Sequence, residues 1–519
     1  MAAIFTGRRA NTGFAERSAS KVNRLASLVL AGSALVALSA AIGAGYGKDQ
    51  RWWAPGSGRV FPAMMEFPNG SGTLRAILTG GPMATKGHPF FSPIGPNGRA
   101  CVTCHQPSDS MSLSAETARA RWQATDGKDP LFAASDGSNC PTLPQADKAS
   151  HSLILDRGLI RIQRPWPPRD LRGQPIKPDF TIEVVRDPWG CNSGPKYGPA
   201  AAAPNISVYR RPRPIANLKY LLAVGFAYDP KQGLPLPLDP ESGRPMSGNL
   251  MADGRAGTLN AQMRDAASTH LEFLKNMSQM DMARIVDFES RVYSAQVRDK
   301  AGGALDEGGA EGGPQKLASS QPGQLGSQGV PVWSEYAAWE KSAKEPGLTP
   351  AQRAFRESVA RGARSFRERT FLISDSSGIN APIGFGNPVR NACAFCHNMS
   401  QMGNDVAPGQ VDLGTTTLPF ADPAPQLPLF RITCKGEPHP FYGRIIYTSD
   451  PGYALTTGRC ADVGKITLQS MRGLAARAPY FSNGSAKDLR AVIDYYDRRY
   501  TIGYSEQEKQ DLVNLMSAL

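Results

Sequence analysis

The chain has 519 residues, of which 41% are hydrophobic and 20% are charged, and its formal net charge is +13. This length and balance predict a globular protein of two or three domains and exclude a disordered or fibrous chain. The basic residues are scattered and do not form a run interleaved with aromatic residues. The charge therefore favours an acidic protein partner over nucleic acid.

The first 45 residues resemble an export signal. Basic residues between Arg8 and Arg24 precede an apolar, small-residue run from Leu25 to about Ile42. This is the n-region and h-region order of a secretory leader, which predicts a periplasmic protein. The run is also nearly long enough to remain as a membrane anchor. Contact with a membrane is therefore expected only if the leader is uncleaved.

Four of the eight cysteines lie in two copies of one pentapeptide, CVTCH at 101–105 and CAFCH at 393–397. Two thiols on one helical turn can each add to a vinyl group of the same porphyrin, and the adjacent histidine can then ligate the iron. A zinc site would need a second ligand pair near each motif, and a redox dithiol would not need the histidine. The motifs predict two covalently bound haem c groups. The attachment residues are Cys101, Cys104, Cys393 and Cys396, and the iron ligands are His105 and His397.

The remaining cysteines are Cys140, Cys191, Cys434 and Cys460. They permit three disulfide pairings. An oxidising compartment and their division into two per half favour Cys140–Cys191 and Cys434–Cys460. Four separate buried thiols are the alternative.

Several helices and strands are predicted in chain order from capping residues and periodicity. Alternating residues predict short strands within Leu153–Ile162 and Phe180–Val185. Leu271, Leu274 and Phe288 belong to a helical pattern whose apolar residues are expected to be buried. The predicted helices run from the cap at 112–116 to about Ala124, from Leu259 to about Val297, from about Pro350 to Arg367, from about Lys487 to Tyr496 and from Ser505 to Leu519.

Residues 301–333 are rich in Gly, Ser and Gln and predict a linker. The expected division is a signal peptide at 1–45, an N-terminal haem domain at 46–300, this linker, and a C-terminal haem domain at 334–519. The expected fold class is mainly α, with two cytochrome-c-like domains, long loops and a few short strands. No repeat is evident outside the two pentapeptides.

Several segments resemble the bacterial di-haem cytochrome c peroxidase superfamily, which includes the MauG-like enzymes. The resemblance covers most of the chain after the leader. The segments that carry it are 98–105, MADGR at 251–255, IVDFE at 285–289, 396–403, 468–485 and 488–497.

The resemblance implies that the N-terminal haem reacts with peroxide and that the C-terminal haem handles electrons. It also implies that the sixth ligand of the C-terminal haem comes from the helix near Leu489, as methionine in the peroxidases and tyrosine in MauG-like members. Tyr496 then occupies the ligand position, where a phenolate would stabilise ferric iron. An ordinary interface aromatic is the alternative, and Met471, Met399 and Met402 are rival ligands.

Two positions depart from the family pattern. Ala252 stands where the family has a tryptophan between the haems, and Trp122 is a candidate substitute. Ser482 replaces the family's histidine after Pro-Tyr-Phe. Both changes argue against ordinary peroxidase turnover.

Cleavage of a peroxide bond benefits from a distal base and a nearby cation. His270 is the favoured distal residue because it follows the Asp-Gly-Arg element, with a role as sixth ligand or as acid–base group. A structural histidine is the alternative. Arg255 and Glu289 are its candidate partners, for which a buried ion pair or a haem-propionate contact is an equally ordinary explanation. The other histidines outside the motifs are His88, His151 and His439.

The expected function is a periplasmic di-haem oxidoreductase. It would reduce hydrogen peroxide with electrons from a small c-type cytochrome or a cupredoxin, or oxidise a protein substrate. A non-catalytic di-haem electron-transfer cytochrome is the alternative, and an oxygenase acting on an organic substrate is a third option. Calcium is kept as a candidate additional ion.

Overall fold

A computed structural model of the chain describes residues 51–170, 173–222, 248–321, 335–344, 346–381, 385–397, 410–422 and 424–519. Residues Trp53–Leu519 form one compact unit. Within the described residues, no helix is long and apolar enough to cross a membrane. The leader predicted at 1–45 lies outside them.

Short helices alternate with short strands along the chain. The helices are α1 (Ala115–Thr125), α2 (Ser152–Arg157), α3 (Leu218–Leu222), α4 (Leu259–His270), α5 (Gln279–Arg291), α6 (Pro314–Ser319), α7 (Pro350–Glu368), α8 (Ala454–Thr457), α9 (Leu489–Tyr500) and α10 (Glu506–Ser517). The strands are β1 (Val60–Phe61), β2 (Met64–Pro68), β3 (Gly72–Leu78), β4 (Met83–Ala84), β5 (Ile160–Pro165), β6 (Phe180–Arg186), β7 (Asn205–Arg210), β8 (Val292–Asp299), β9 (Gly303–Ala304), β10 (Phe371–Ile373), β11 (Val389–Asn391), β12 (Gln410–Val411), β13 (Leu429–Cys434), β14 (Ile445–Thr448) and β15 (Ile466–Thr467).

The expectation of a mainly α protein is wrong. The described residues are 31% helical and about 19% strand. The strands are short and pair antiparallel with partners that are often distant in sequence. Local periodicity does not report such pairing, because its hydrogen bonds depend on segments far apart in the chain.

One sheet joins the two halves of the chain. Its strand order is β14-β13-β6, so a strand of the first half pairs with two strands of the second. In this register Arg431 lies opposite Glu183 and Ile432 lies opposite Ile182. The first half also has a four-stranded sheet of order β2-β3-β8-β9.

Most of the predicted helices are confirmed, with two corrections. The helical pattern predicted from Leu259 to Val297 is divided into α4, α5 and strand β8, and Leu274 is 88% exposed because it lies between the two helices. The segment predicted as a strand from Leu153 begins as helix α2 and becomes strand β5 only at Ile160. Capping is as expected at α1, where Ser114 accepts a hydrogen bond from the Thr117 N–H.

The apolar core has two main clusters, one around each pentapeptide. The first contains Val102 and a group of packed phenylalanines that includes Phe90 and Phe288. The second contains Cys396 and residues of α7, α9 and α10. Leu305, in the segment predicted as a linker, is fully buried in the second cluster. The domain boundaries themselves stay a prediction.

Both favoured disulfides are present. Cys140 is bonded to Cys191 and Cys434 to Cys460, each with a Cα–Cα distance of 5.6 Å. The four pentapeptide cysteines are free thiols. The cysteines thus divide into the two groups that their spacing predicts.

Helices α7 and α10 cross closely at Gly362, and this contact provides a test of the second core. A Cβ atom at Gly362 would lie 2.7 Å from the Asp511 carbonyl carbon and 3.1 Å from the Leu515 Cβ. Asp511 cannot easily move, because it accepts hydrogen bonds from Ser358 and Arg361.

We expect Gly362→Ala to lower the free energy of unfolding by about 1–3 kcal/mol. The helix propensity of alanine would by itself add about 1 kcal/mol, so the sign of the change shows which effect wins. Thermal unfolding followed by circular dichroism measures it. Gly436→Ala is the control, since nothing lies within 4 Å of its added Cβ. A more stable Gly362→Ala variant would contradict the packing described here.

Candidate functional site

Each pentapeptide forms one helical turn. The His105 N–H donates to the Cys101 carbonyl at 3.2 Å, and the His397 N–H donates to the Cys393 carbonyl at 3.0 Å. Both thiols and the histidine of each motif line a single cavity. With their open mouths included, the two cavities contain about 1220 and 1290 Å³ of empty space respectively. This is ample space for a macrocycle in an interior that is otherwise close-packed.

His105 is prepared to act as a ligand in the first cavity. Its Nδ1 lies 3.0 Å from the Met111 carbonyl, to which it can only donate. Burial lowers the pKa of His105 to about 4. The imidazole is therefore neutral, and its Nε2 keeps the lone pair that a metal requires.

His270 lines the same cavity at the end of α4. Its Nδ1 lies 2.6 Å from Asp136 Oδ2, and the same carboxylate is paired with Arg99. Burial lowers the pKa of His270 to about 4, so the neutral ring donates from Nδ1 and leaves Nε2 as a base or ligand. The structure thus brings His270 to the first haem motif, while its role stays a prediction.

Glu289 and Arg255 lie in the wall of the first cavity, but their surroundings differ. Burial raises the pKa of Glu289 to about 8, and its Oε2 has no hydrogen-bond partner among the described residues. Arg255 donates to Asp253 at 2.7 Å and to Asp265 at 3.0 Å. Glu289 is thus a neutral acid near pH 7, whereas Arg255 is held in a buried ion pair.

The second cavity brings together Cys393, Cys396, His397, Met471 and Tyr496. Burial raises the pKa of Tyr496 well above its usual value, so the side chain is a neutral phenol in the absence of a metal. Met471 is also buried in the same wall. Both ligand candidates therefore remain, and Met399 and Met402 lie outside the described residues.

A repeated backbone element forms one wall of each cavity. An isolated antiparallel bridge joins Leu250 to Ala256, and another joins Tyr480 to Ala486. Each bridge encloses a non-glycine residue with positive φ, at Met251 (62°) and Phe481 (64°). A capped helix of 12 residues follows in both cases, α4 after the first bridge and α9 after the second.

This equivalence places Ala266 of α4 where α9 has Tyr496. Both residues line their cavities. His270 corresponds to Tyr500, whose hydroxyl lies 2.8 Å from the Ser376 hydroxyl. The two cavities therefore share a frame, but the first has a methyl group where the second has a phenol.

A group of arginines at the cavities was not predicted from the sequence. Arg211 is buried and Arg213 is partly buried in the first cavity wall, and neither has a carboxylate partner among the described residues. Burial lowers the pKa of each to about 9. Arg211 NH1 and Arg213 Nε also lack hydrogen-bond partners there. The sequence feature that could have predicted these arginines is the dense RRPR segment at 210–213.

Buried guanidinium groups without acidic partners are costly, so a bound anion would stabilise them. Haem propionates have this charge, and the thiols, the neutral histidines and the cavity sizes also suit haem. Arg477, whose pKa burial lowers to about 10, supplies a similar group in the second cavity wall. The residues present therefore fit one haem in each cavity.

Hydrogen bonds to main-chain carbonyls connect the two cavities. The Thr467 N–H donates to the Ala252 carbonyl at 2.9 Å. Arg213 donates to the Leu468 carbonyl at 3.0 Å and also to the Thr467 carbonyl. Ala252 and Arg213 line the first cavity, and Thr467 and Leu468 line the second.

The candidate substitute for the missing tryptophan does not lie between the cavities. Trp122 packs against Phe132 and His151 and lines neither cavity. Ser482 does line the second cavity.

The other histidines make local contacts outside both cavities. His151 contacts the backbone carbonyls of Gly137 and Gln145 through its two ring nitrogens. His88 Nδ1 accepts from the Phe90 N–H, and His439 stacks on Tyr442. Among the described residues, no group of three or more His, Cys, Asp or Glu side chains is placed to hold a metal ion. The expectation of calcium thus gains no support from such a cluster.

Each cavity is a candidate site for a haem attached through a CxxCH motif. Two proteins named as cytochrome-c peroxidases are similar to parts of the chain. "Cytochrome-c peroxidase IdrP1" of Pseudomonas sp. (strain SCT) is 32% identical over 145 residues, which cover 24% of this chain and 36% of that protein. "Cytochrome-c peroxidase IdrP2" of Denitromonas iodatirespirans is 29% identical over 163 residues, which cover 29% of this chain and 42% of that protein.

The matches thus span less than half the length of these curated relatives. No family model matches the chain. The two relatives support the resemblance to cytochrome c peroxidases, and through their names a haem-dependent oxidoreductase. They do not show whether the specificity is that of an ordinary cytochrome c peroxidase or of a MauG-like enzyme.

Arg211 and Arg213, which have no carboxylate partner among the described residues, are expected to affect the reduction potential of the first haem. We expect Arg211→Met or Arg213→Met to lower the reduction potential of the first haem by about 60 mV, which is a tenfold change in a one-electron equilibrium. A nearby cation favours addition of an electron, so its loss favours the ferric state. Spectroelectrochemical titration measures the potential, and Arg431→Met, at a partly exposed position of strand β13, is the control. Unchanged potentials with full haem content would contradict the propionate assignment.

Proposed function

We propose that the protein is an exported, periplasmic di-haem c-type oxidoreductase that reduces hydrogen peroxide. The observation that carries this proposal is the difference between Ala266 and Tyr496 at equivalent cavity positions. A phenol can occupy the space beside the second haem, whereas a methyl group leaves room for a substrate beside the first. The likeness to two proteins named cytochrome-c peroxidase supports the same reaction class.

One haem would be held in each cavity by the thiols and histidine of its pentapeptide. Bound haem supplies an iron centre that accepts and releases electrons and activates peroxide. Arg211 and Arg213 would pair with propionates in the first cavity, and Arg477 would do so in the second. Tyr496 is the proposed distal group of the second haem, with Met471 as its rival.

The protein supplies the two proton-transfer groups that peroxide reduction needs. Neutral His270, oriented by Asp136, can accept a proton from the bound peroxide. Glu289, protonated near pH 7 because burial raises its pKa to about 8, can donate one to the leaving oxygen. Overall, one hydrogen peroxide takes up two electrons and two protons and yields two waters.

The electrons are proposed to enter through the second haem from a small c-type cytochrome or a cupredoxin. The formal net charge of +13 favours an acidic donor surface. If Tyr496 ligates the iron of the second haem, a variant of this proposal is favoured. In that variant the protein oxidises a protein substrate, as MauG does.

One observation favours a second candidate function, a non-catalytic electron carrier. Metal-ligating histidines usually donate their second ring nitrogen to a carboxylate or a carbonyl. His270 has this arrangement with Asp136. Its Nε2 is therefore equally suited to bind the iron of the first haem as the sixth ligand. The two functions therefore differ in whether the first iron keeps an open position.

Electron paramagnetic resonance of the oxidised and half-reduced protein tests the choice. The proposed peroxidase requires a high-spin signal from the first haem in at least one of these states, together with peroxide-dependent oxidation of a reduced small cytochrome. Two low-spin haems in both states would contradict the peroxidase proposal and favour the non-catalytic electron carrier.

Substitutions at Ala266 and Tyr496 test whether the difference between these equivalent positions determines which haem admits substrate. We expect Ala266→Tyr to abolish peroxide turnover without loss of haem, because the phenol fills the substrate space. Tyr496→Ala should convert the second haem to a high-spin or water-ligated form. Absorption spectra and steady-state rates provide the readouts, and Asn260→Tyr, at an exposed position of α4, is the control. Full turnover in Ala266→Tyr would refute the open-site assignment.

The acid role of Glu289 predicts a pH profile. We expect Glu289→Gln to lower kcat/KM for peroxide about 100-fold. In the wild type the acid form is present below the pKa of about 8 and is lost as the pH rises through it, so activity should fall above pH 8. The variant should lack this alkaline limb. The exposed Glu183→Gln change is the control, and an unaltered profile in Glu289→Gln would exclude the role.

A further inference from the structure

An outer cleft meets the first cavity at His270. The cleft encloses about 1390 Å³ and shares Ile162 and His270 with the cavity that carries the first haem motif. One water-sized molecule takes up roughly 30 Å³ of liquid volume, so peroxide does not need such an opening. This space includes the open mouth of the cleft and exceeds the roughly 300–1,000 Å³ of typical small-molecule sites, so a small organic molecule has room to enter.

The two walls of the cleft differ in chemistry. One wall comes from the end of α4 and presents hydroxyl groups together with His270 and Glu272. The other comes from β5 and the loop after it, and presents Arg161, Trp166 and Arg169. A ligand that spans the cleft would therefore meet a proton acceptor at one end and a cation at the other.

The basic wall also offers aromatic surface. The guanidinium of Arg161 lies 4.9 Å from the ring centroid of Tyr197, and the ring of Trp166 packs at 5.5 Å from that of Phe180. Trp166 and Tyr197 both line the cleft and are only partly buried. Exposed ring faces of this kind favour a flat aromatic ligand.

Apart from the exposed carboxylate of Glu272 in the α4 wall, the charges in the cleft favour an acidic ligand at the opposite wall. The carboxylate of Asp136 is paired with Arg99 and His270, so its charge is already compensated. Arg161 donates to the Ser135 carbonyl and to Ser207, whereas exposed Arg169 donates to the Gly173 carbonyl. A guanidinium has five donors, so Arg169 can pair with a ligand carboxylate as well.

We propose that this cleft binds a small phenol that carries a carboxylate, and that the protein oxidises this phenol with hydrogen peroxide. The carboxylate pairs with Arg169, the ring packs beside Tyr197 and Trp166, and the hydroxyl lies at the His270 end. Two phenols each lose one electron and one proton to become phenoxyl radicals, while one hydrogen peroxide becomes two waters. This inference rests on the proposed peroxidase function and names a second class of electron donor.

Binding is tested first, with haem-loaded protein and no peroxide. Isothermal titration with 4-hydroxyphenylpropionate should show saturable binding that Arg169→Glu weakens about tenfold, because a cation is replaced by an anion. Tyr197→Leu should also weaken it. The analogue that carries an alcohol instead of the carboxylate should bind equally to wild type and Arg169→Glu. Arg431→Glu, at a partly exposed position of strand β13 outside the cleft, is the matched control.

Oxidation is tested next, by the rate of peroxide-dependent loss of the phenol. The value of kcat/KM for the phenol should fall about tenfold in Arg169→Glu and stay unchanged in Arg431→Glu. Equal binding and oxidation in wild type and Arg169→Glu would overturn the assignment to this cleft. Peroxide turnover with a reduced small cytochrome, but neither binding nor oxidation of the phenol, would overturn the inference and leave the proposed function standing. Phenol binding without peroxide turnover by either donor would instead refute the proposed function, and the donor role with it.

Discussion

The burial of Asp253 among three guanidinium groups is the constraint on which the arrangement of the first site depends. Arg210 and Arg255 each approach this carboxylate to 2.7 Å, and Arg164 lies at 3.4 Å. Arg210 also pairs with Asp450 of the second half at 2.6 Å. Each buried charge is costly without its partner, so the network is stable only when complete. It thereby fixes strand β7, the turn before α4 and a loop of the second half against one another.

The two cavities show how one backbone frame can serve two chemical purposes. The bridge, the positive-φ residue and the capped helix are the same beside both cavities. The difference lies in side chains: Ala266 and His270 face one proposed haem site, where the other has Tyr496 and Tyr500 in the equivalent helix. A small residue with a neutral base suits a site that admits substrate, whereas a row of phenols suits a closed site. The proposed division of labour between the haems follows from this contrast.

The fold was only partly predictable from the sequence. Helices α1, α7 and α10 were predicted well, because a capping residue and an amphipathic pattern are local signals. The strand content was not, because strands such as β6 and β13 are short and find their partners across the two halves. The repeat that relates α4 to α9 also escaped detection, since it conserves backbone geometry and caps but only a few identities, namely Gly254/Gly484, Ala256/Ala486, Leu259/Leu489 and Ala261/Ala491.

The sequence by itself determined the two CxxCH motifs and the four thiols reserved for them, and it favoured one pairing of the other cysteines, which the structure confirms. These features depend on covalent chemistry and spacing, which the chain order states directly. Only the tertiary structure decided that Glu289 is a neutral acid, that His270 is oriented by Asp136, and that Arg211 has no acidic partner within the described part of the chain. Those properties arise from burial and from neighbours far away in sequence, and both are set when distant segments pack together.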